Sequence, residues 1–211
     1  MKKIMIAICS GFIVTLALSL YSNTIQSEIS DSVLRLHVLA NSDSAADQAL
    51  KLKVRDRLLA ESRDLFQNCT SPSEARAVFS DNHDKLQEAA AAEIKKEGFT
   101  YPVSIALNQS YFPTRHYGNV SLPAGEYEAV RVEIGNASGK NWWCVMFPPL
   151  CFVDGSVDGA DAKGTEMIQE QLGDNADIIT KDGTIDLKLR FKLVDIFQST
   201  SHAIREVFKK A

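Results

Sequence analysis

Cysteine is scarce in this 211-residue chain, with 4 residues, and so are proline with 6 and glycine with 11. A disulfide-stapled miniprotein and a collagen-like chain are thereby excluded. No surplus of positive charge exists either: 23 basic residues face 27 acidic ones, for a net charge of −4. A dedicated nucleic-acid binder needs a basic face for phosphate contacts, so no nucleic-acid partner is expected. The 4 histidines never fall in His-x-x-x-His or His-Glu-x-x-His spacing, and no Cys-x-x-Cys occurs. No metal site and no cofactor are therefore expected. Also missing are a Gly-x-Ser-x-Gly elbow, a phosphate-cradling loop and any internal repeat. What is present is an ordinary globular composition, 45% hydrophobic and 24% charged, with 10 Phe, 5 Tyr and 2 Trp to build a core. Disorder is excluded on that ground.

The start of the chain has a separate logic. Lys2 and Lys3 precede an apolar stretch from Ile4 to about Leu20, and no charge follows Lys3 until Glu28. A positive start before an apolar run is what export machinery reads. Ala17 and Ser19 supply small residues for cleavage; uncleaved, Ile4–Tyr21 spans 18 residues, just enough for a bilayer helix. Residues 1–22 are thus expected to be a signal peptide or a membrane anchor, with the rest outside the cytoplasm. Contact with the membrane is expected only through this segment or through a partner.

Residues 30–211 are expected to form a single domain. Val33–Ala40 alternates as a strand, with Leu34, Leu36 and Val38 on one face and Arg35 and His37 on a polar one. Asn41-Ser-Asp-Ser44 suits a turn and a helix start. Periodicity predicts a helix over Ala45–Phe66, then a second over Pro72–Glu97, capped by Ser71 or Ser73 and closed by Gly98. Alternation near Val103–Leu107 and Tyr127–Ile134, with the turn-rich Gly135–Asn141 leading on to Trp142–Phe147, predicts a hairpin within an antiparallel sheet. Trp142–Phe147 is a further strand, apolar on both faces, hence central or facing a partner. Residues 154–186 carry nine acidic and two basic side chains and read as surface loop with a short helix near Thr165–Leu172. Asp186–Asp195 is expected as a strand and Ile196–Lys210 as a terminal helix. The fold class is α+β, helices packed on an antiparallel sheet, preceded by the export segment.

Candidate chemistry is sparse. Cys144 and Cys151 flank Val-Met-Phe-Pro-Pro-Leu and can form a disulfide outside the cytoplasm, worth about 2–3 kcal/mol for so short a loop. Two buried thiols are the alternative. Cys69 reads as a helix-connection residue. His37, His116 and Asp43, with a serine such as Ser42, could converge into a hydrolase triad, since triads are known by geometry and not by order. Asp154–Asp161 opens like a calcium loop, but Thr165 stands where the closing glutamate belongs, and Glu166 comes one residue late.

Three stretches share an unusual character: Leu34–Ser44 with Asp47–Asp56, Pro123–Arg131, and Gly139–Cys151. In this order they resemble the stage II sporulation protein R family, over about residues 33–197. The resemblance implies a signalling protein of spore-forming bacteria, made in the forespore and exported into the intermembrane space. It implies as partner a membrane-bound aspartic protease of the mother cell, which processes a sporulation sigma-factor precursor. It carries no catalytic residues, so none are assigned. The expected partner surface joins Asn41 and Asp43 on the turn to Trp142, Trp143 and the apolar tip Pro148-Pro149-Leu150. An exported hydrolase acting on cell wall or peptide is the alternative, and convergence of the two histidines would distinguish it.

Overall fold

The computed structural model describes residues 2–66, 68–117, 120–150 and 162–172. Helix α1 (Lys2–Asp31) leads into strand β1 (Leu34–Leu39), followed by helices α2 (Ala45–Phe66), α3 (Pro72–Asp81) and α4 (His83–Lys96). Strands β2 (Val103–Phe112), β3 (Arg115–Tyr117), β4 (Val120–Leu122), β5 (Gly125–Ile134) and β6 (Asn141–Phe147) come next, then α5 (Ala162–Leu172). The strand at 186–195, the helix at 196–210 and the acidic segment, apart from the α5 part, lie outside the described residues.

The main sheet has the order β2-β5-β1-β6, with β3 and β4 forming a separate two-stranded sheet. Architecture is α+β as expected, but the main sheet is mixed and not antiparallel. Strand β1 runs parallel to β5 and antiparallel to β6. Alternation tells which side chains share a face, not which way the neighbouring strand runs. A parallel pair needs a crossover, and the chain supplies one through α2 to α4 before returning in β5. Strands β2 and β5 do pair antiparallel in a long ladder, from Val103↔Ile134 to Phe112↔Gly125, but the strands on either side of the turn-rich Gly135–Asn141 do not form the expected hairpin, because β1 lies between β5 and β6. Strand β6 is an edge among the described strands, although its last four residues are buried.

All six residues of β1 are buried, Arg35 and His37 included. The polar side of this strand is covered by the rings of Phe112, Tyr117, Tyr127 and Trp143. On the other face, Leu34, Leu36 and Val38 join one core with Leu50, Val54, Leu58, Phe79, Leu86 and Ile94 of the helices. Each such side chain contributes about 1.5–3 kcal/mol on burial. Two links stitch the helices to this face: Arg76 pairs with Glu128, and His83 Nε2 meets the Ile105 carbonyl at 2.8 Å.

The single helix expected over 72–97 is two, broken at Asn82 (φ −111°). The Asn82 amide donates to the Val78 carbonyl at 2.9 Å, and a short polar side chain that bonds nearby backbone competes with helix continuation. Ser71 caps α3, accepting from the Glu74 N–H at 3.2 Å. The Glu74 carboxylate in turn accepts from the Thr70 N–H and hydroxyl, which hold it below the usual carboxylate range. Gly98, at φ +83°, closes α4 as anticipated.

Helix α1 runs through the expected export segment. Its last turns belong to the fold: Gln26 and Ile29 are buried, and Gln26 packs against Gly125 at the start of β5. Farther forward, Met5, Ile6, Phe12 and Ile13 are each about two-thirds exposed, at 64–69%. Among the described residues no helix is long and apolar enough to cross a membrane.

Candidate functional site

The turn after β1 is a closed hydrogen-bonded corner. Ser44 caps α2, its hydroxyl accepting from the Asp47 N–H at 3.1 Å. The buried Asp47 carboxylate turns back and accepts from the Asn41 amide at 2.9 Å and from the Ser42 hydroxyl. These two donors hold its pKa below the usual carboxylate value. Gln48 donates to the Ser42 carbonyl at 2.9 Å. The loop between β5 and β6 docks on the same corner. Asn41 Oδ1 accepts from the Asn136 N–H at 2.9 Å, Asp43 Oδ1 from the Lys140 N–H at 2.6 Å, and the Asn41 carbonyl from the Ser138 hydroxyl at 2.6 Å.

Two glycines make the docking possible. Gly139 lies so close that a Cβ there would sit 2.2 Å from the Ser42 carbonyl oxygen. Gly135 has φ +59°, and a Cβ on it would sit 2.3 Å from Asn41 Oδ1. Lys51 reaches in from α2 and donates to the Lys140 carbonyl at 3.0 Å; desolvation lowers its pKa.

Register places the tryptophans beside this corner, since Val38 pairs with Trp142 and His37 with Trp143. As expected for neighbours on a strand, they face opposite ways. Trp142 lies under the Arg55 guanidinium of α2 at 4.1 Å, and Trp143 under Arg115 at 4.4 Å while stacking on His37. Asn41, Asp43, Trp142 and Trp143 therefore share one end of the sheet.

The proline tip does not join them. Leu34 pairs with Phe147 at the other end of β6, and seven strand residues put the two ends about 20 Å apart. Pro148 and Leu150 are buried, Leu150 at 3% exposure within the core, and Pro149 is half-buried. The apolar tip expected from the sequence thus packs inward, because burying a leucine and a proline ring is favourable where core lies adjacent. Cys144 is disulfide-bonded and Cys69 is free. Cys151 lies outside the described residues.

The histidines and Asp43 each have separate partners. His37 Nε2 meets Asn141 Oδ1 at 2.9 Å; burial lowers its pKa, against the bond to Asn141. His116 Nδ1 meets Ser121 Oγ at 2.7 Å across the β3–β4 pair. Asp43 is on the corner, and Ser42 bonds Asp47. The sequence-derived triad of His37, His116, Asp43 and Ser42 is not assembled. Among the described residues no group of three or more potential metal ligands is found. Sequence reasoning missed the buried Arg35, whose Nη2 donates to the Tyr117 hydroxyl at 2.7 Å. Its signal was a cation between leucines; the aromatic rings that enclose it, Phe112 and Tyr127, come from distant strands.

Comparison with known proteins adds the context for this corner. The sequence profile of the stage II sporulation protein R family matches residues 30–157, more than half of the chain. The chain belongs to the stage II sporulation protein R family. Stage II sporulation protein R of Bacillus subtilis (strain 168) is 44% identical over 126 residues, covering 60% of this chain and 56% of that protein. This chain therefore matches little more than half the length of its curated relative. No solved structure matches. Membership in the family supports a role in sporulation. The matched region takes in the corner, both tryptophans and the whole main sheet, and ends short of the expected residue 197.

Proposed function

We propose that this family member is an exported signalling protein, needed for a membrane-bound aspartic protease of the mother cell to process a sporulation sigma-factor precursor. Family membership over residues 30–157 carries the reading. Two features support its parts. Export is supported by Lys2 and Lys3 ahead of an apolar run whose Met5, Ile6, Phe12 and Ile13 stand exposed on the helix. Large apolar side chains left in water favour transfer to an apolar medium. Action by contact is supported by the corner, whose polar groups bond one another and hold a preformed shape. Preformed surfaces bind without an ordering cost.

An activator must bind the active or assembled state of the protease better than the inactive one, and each tenfold preference is worth about 1.4 kcal/mol. The contact surface proposed here is the end of the sheet carrying Asn41, Asp43, Trp142 and Trp143. A second reading, an exported hydrolase acting on cell wall or peptide, is favoured by one observation, the His116–Ser121 pair. No carboxylate among the described residues backs that imidazole, so only two of the three parts of a triad are present.

Reconstitution tests both. The purified chain is added to membranes holding the protease and the sigma-factor precursor. Processing should require chain and protease together, and Asp43→Ala should reduce it without loss of fold by circular dichroism. Processing that proceeds equally without the chain would reject the signalling role. Cleavage of a wall or peptide substrate by the chain alone, abolished in Ser121→Ala, would establish the hydrolase instead.

A further inference from the structure

Strand β2 is the outer strand of the main sheet on the β5 side. In an antiparallel ladder alternate residues turn both backbone groups toward the partner strand, and those between turn both away. Ile105 turns away: its N–H donates to Gln87 Oε1 at 3.1 Å, and its carbonyl meets His83 Nε2 at 2.8 Å. Both caps come from α4. The same alternation turns the N–H and C=O groups of Leu107 and Gln109 outward, and among the described residues nothing bonds to them on that side. Leu107 is half-buried, and Asn108 and Gln109 are exposed.

Sheet edges are ordinarily guarded by charge, proline, a bulge or brevity. Val103–Phe112 is 10 residues long, contains no charged residue and no proline, and pairs with β5 without a shift of register. Its guard is the pair of caps on Ile105, which leaves Leu107–Gln109 open. Four backbone groups, two donors and two acceptors spread over about 7 Å, match another extended backbone. We infer that the β2 edge at Leu107–Gln109 takes up a short extended segment of a partner protein as an added strand.

The caps select the occupant. A second copy would bring its own β2, and a two-fold pairing centred on Asn108 sets Tyr111 of one copy against Ile105 of the other. That is where Gln87 and His83 already stand. The segment that fits is short, and it ends or turns away before it reaches Ile105. Main-chain bonds hold it, so its fit depends on an extended shape more than on particular side chains. The inference concerns a different part of the sheet from the corner and does not depend on the proposed protease.

The test is amide NMR on the full chain. In the free chain the Leu107 and Gln109 amides should exchange with solvent at least tenfold faster than those of Ala106 and Asn108, which the β5 ladder holds. Acetyl-Thr-Val-Thr-Val-Thr-amide at millimolar concentration should shift the Leu107 and Gln109 resonances saturably. The same peptide N-methylated at every backbone amide should bind at least tenfold more weakly, since its donors are gone. Gln109→Ala should bind like the wild type. Gln109→Pro deletes an outward N–H and leaves the β5 ladder in place, so it should fold and bind at least tenfold more weakly. If that variant does not fold, the N-methylated peptide decides by itself. Equal binding of the two peptides, no saturable shift, or wild-type binding by Gln109→Pro would each overturn the inference. So would slow exchange of Leu107 and Gln109 in the free chain. Slow exchange at every concentration would make the occupant another segment of this chain, and slowing that grows with chain concentration would make it a second copy.

Discussion

Asn41 and Gly135 should be energetically coupled, and the geometry sets the size of the coupling. Asn41→Ala removes two side-chain hydrogen bonds, one to Asp47 and one from the Asn136 N–H. At a net 0.5–1.5 kcal/mol each, the loss is about 1–3 kcal/mol. Gly135→Ala places a side chain at φ +59°, which costs about 1–2 kcal/mol for a residue with a Cβ. The new methyl would also lie 2.3 Å from Asn41 Oδ1 and 2.9 Å from its Cγ. Asn41 must then swing away and forfeit the same two bonds, a further cost of about 1–3 kcal/mol. In the double variant the clashing amide is gone and those bonds are lost only once. Its destabilisation should therefore fall short of the sum of the single ones by about 1–3 kcal/mol. Urea unfolding of the four chains, followed by tryptophan fluorescence, measures the cycle. Additivity within about 0.5 kcal/mol would refute the idea that Asn41 is the clasp between the turn and the β5–β6 loop.

Two further outcomes follow from burial. Leu150→Ala should cost about 2–5 kcal/mol in urea unfolding, as expected when a leucine at 3% exposure leaves a cavity; an unchanged midpoint would return Leu150 to the surface. His37, held neutral mainly by burial, has a folded pKa below its ordinary 6.5. The unfolded chain therefore takes up this proton first, so the stability that neutral His37 contributes is full above about pH 6.5 and falls as the pH drops below it. His83, raised by Asp84 and the Ile105 carbonyl, acts in the opposite sense and loses its contribution as the pH rises through its folded pKa. His37→Gln should remove the first effect and leave the second, so that its midpoint declines less than that of the wild type between pH 7 and 5. Parallel pH profiles would contradict the assignment.

Local pattern was enough to place Leu34, Leu36 and Val38 on one face of a strand, to run a helix over Ala45–Phe66, to cap α3 at Ser71 and to end α4 at Gly98. Each depends on neighbours within a few residues, so periodicity and capping chemistry carry the information. The break at Asn82 was hidden, because apolar spacing continues across it while one side-chain bond to Val78 ends the helix. Asn41 and Asp43 were legible as a turn; that they clasp residues 136–140 was not, since those groups stand almost a hundred positions away. Partner direction in the sheet, the inward packing of Leu150 and the enclosure of Arg35 were decided by tertiary structure alone. In each case a side chain's surroundings come from strands distant in the chain, and a linear pattern reports which residues face together without reporting what they face.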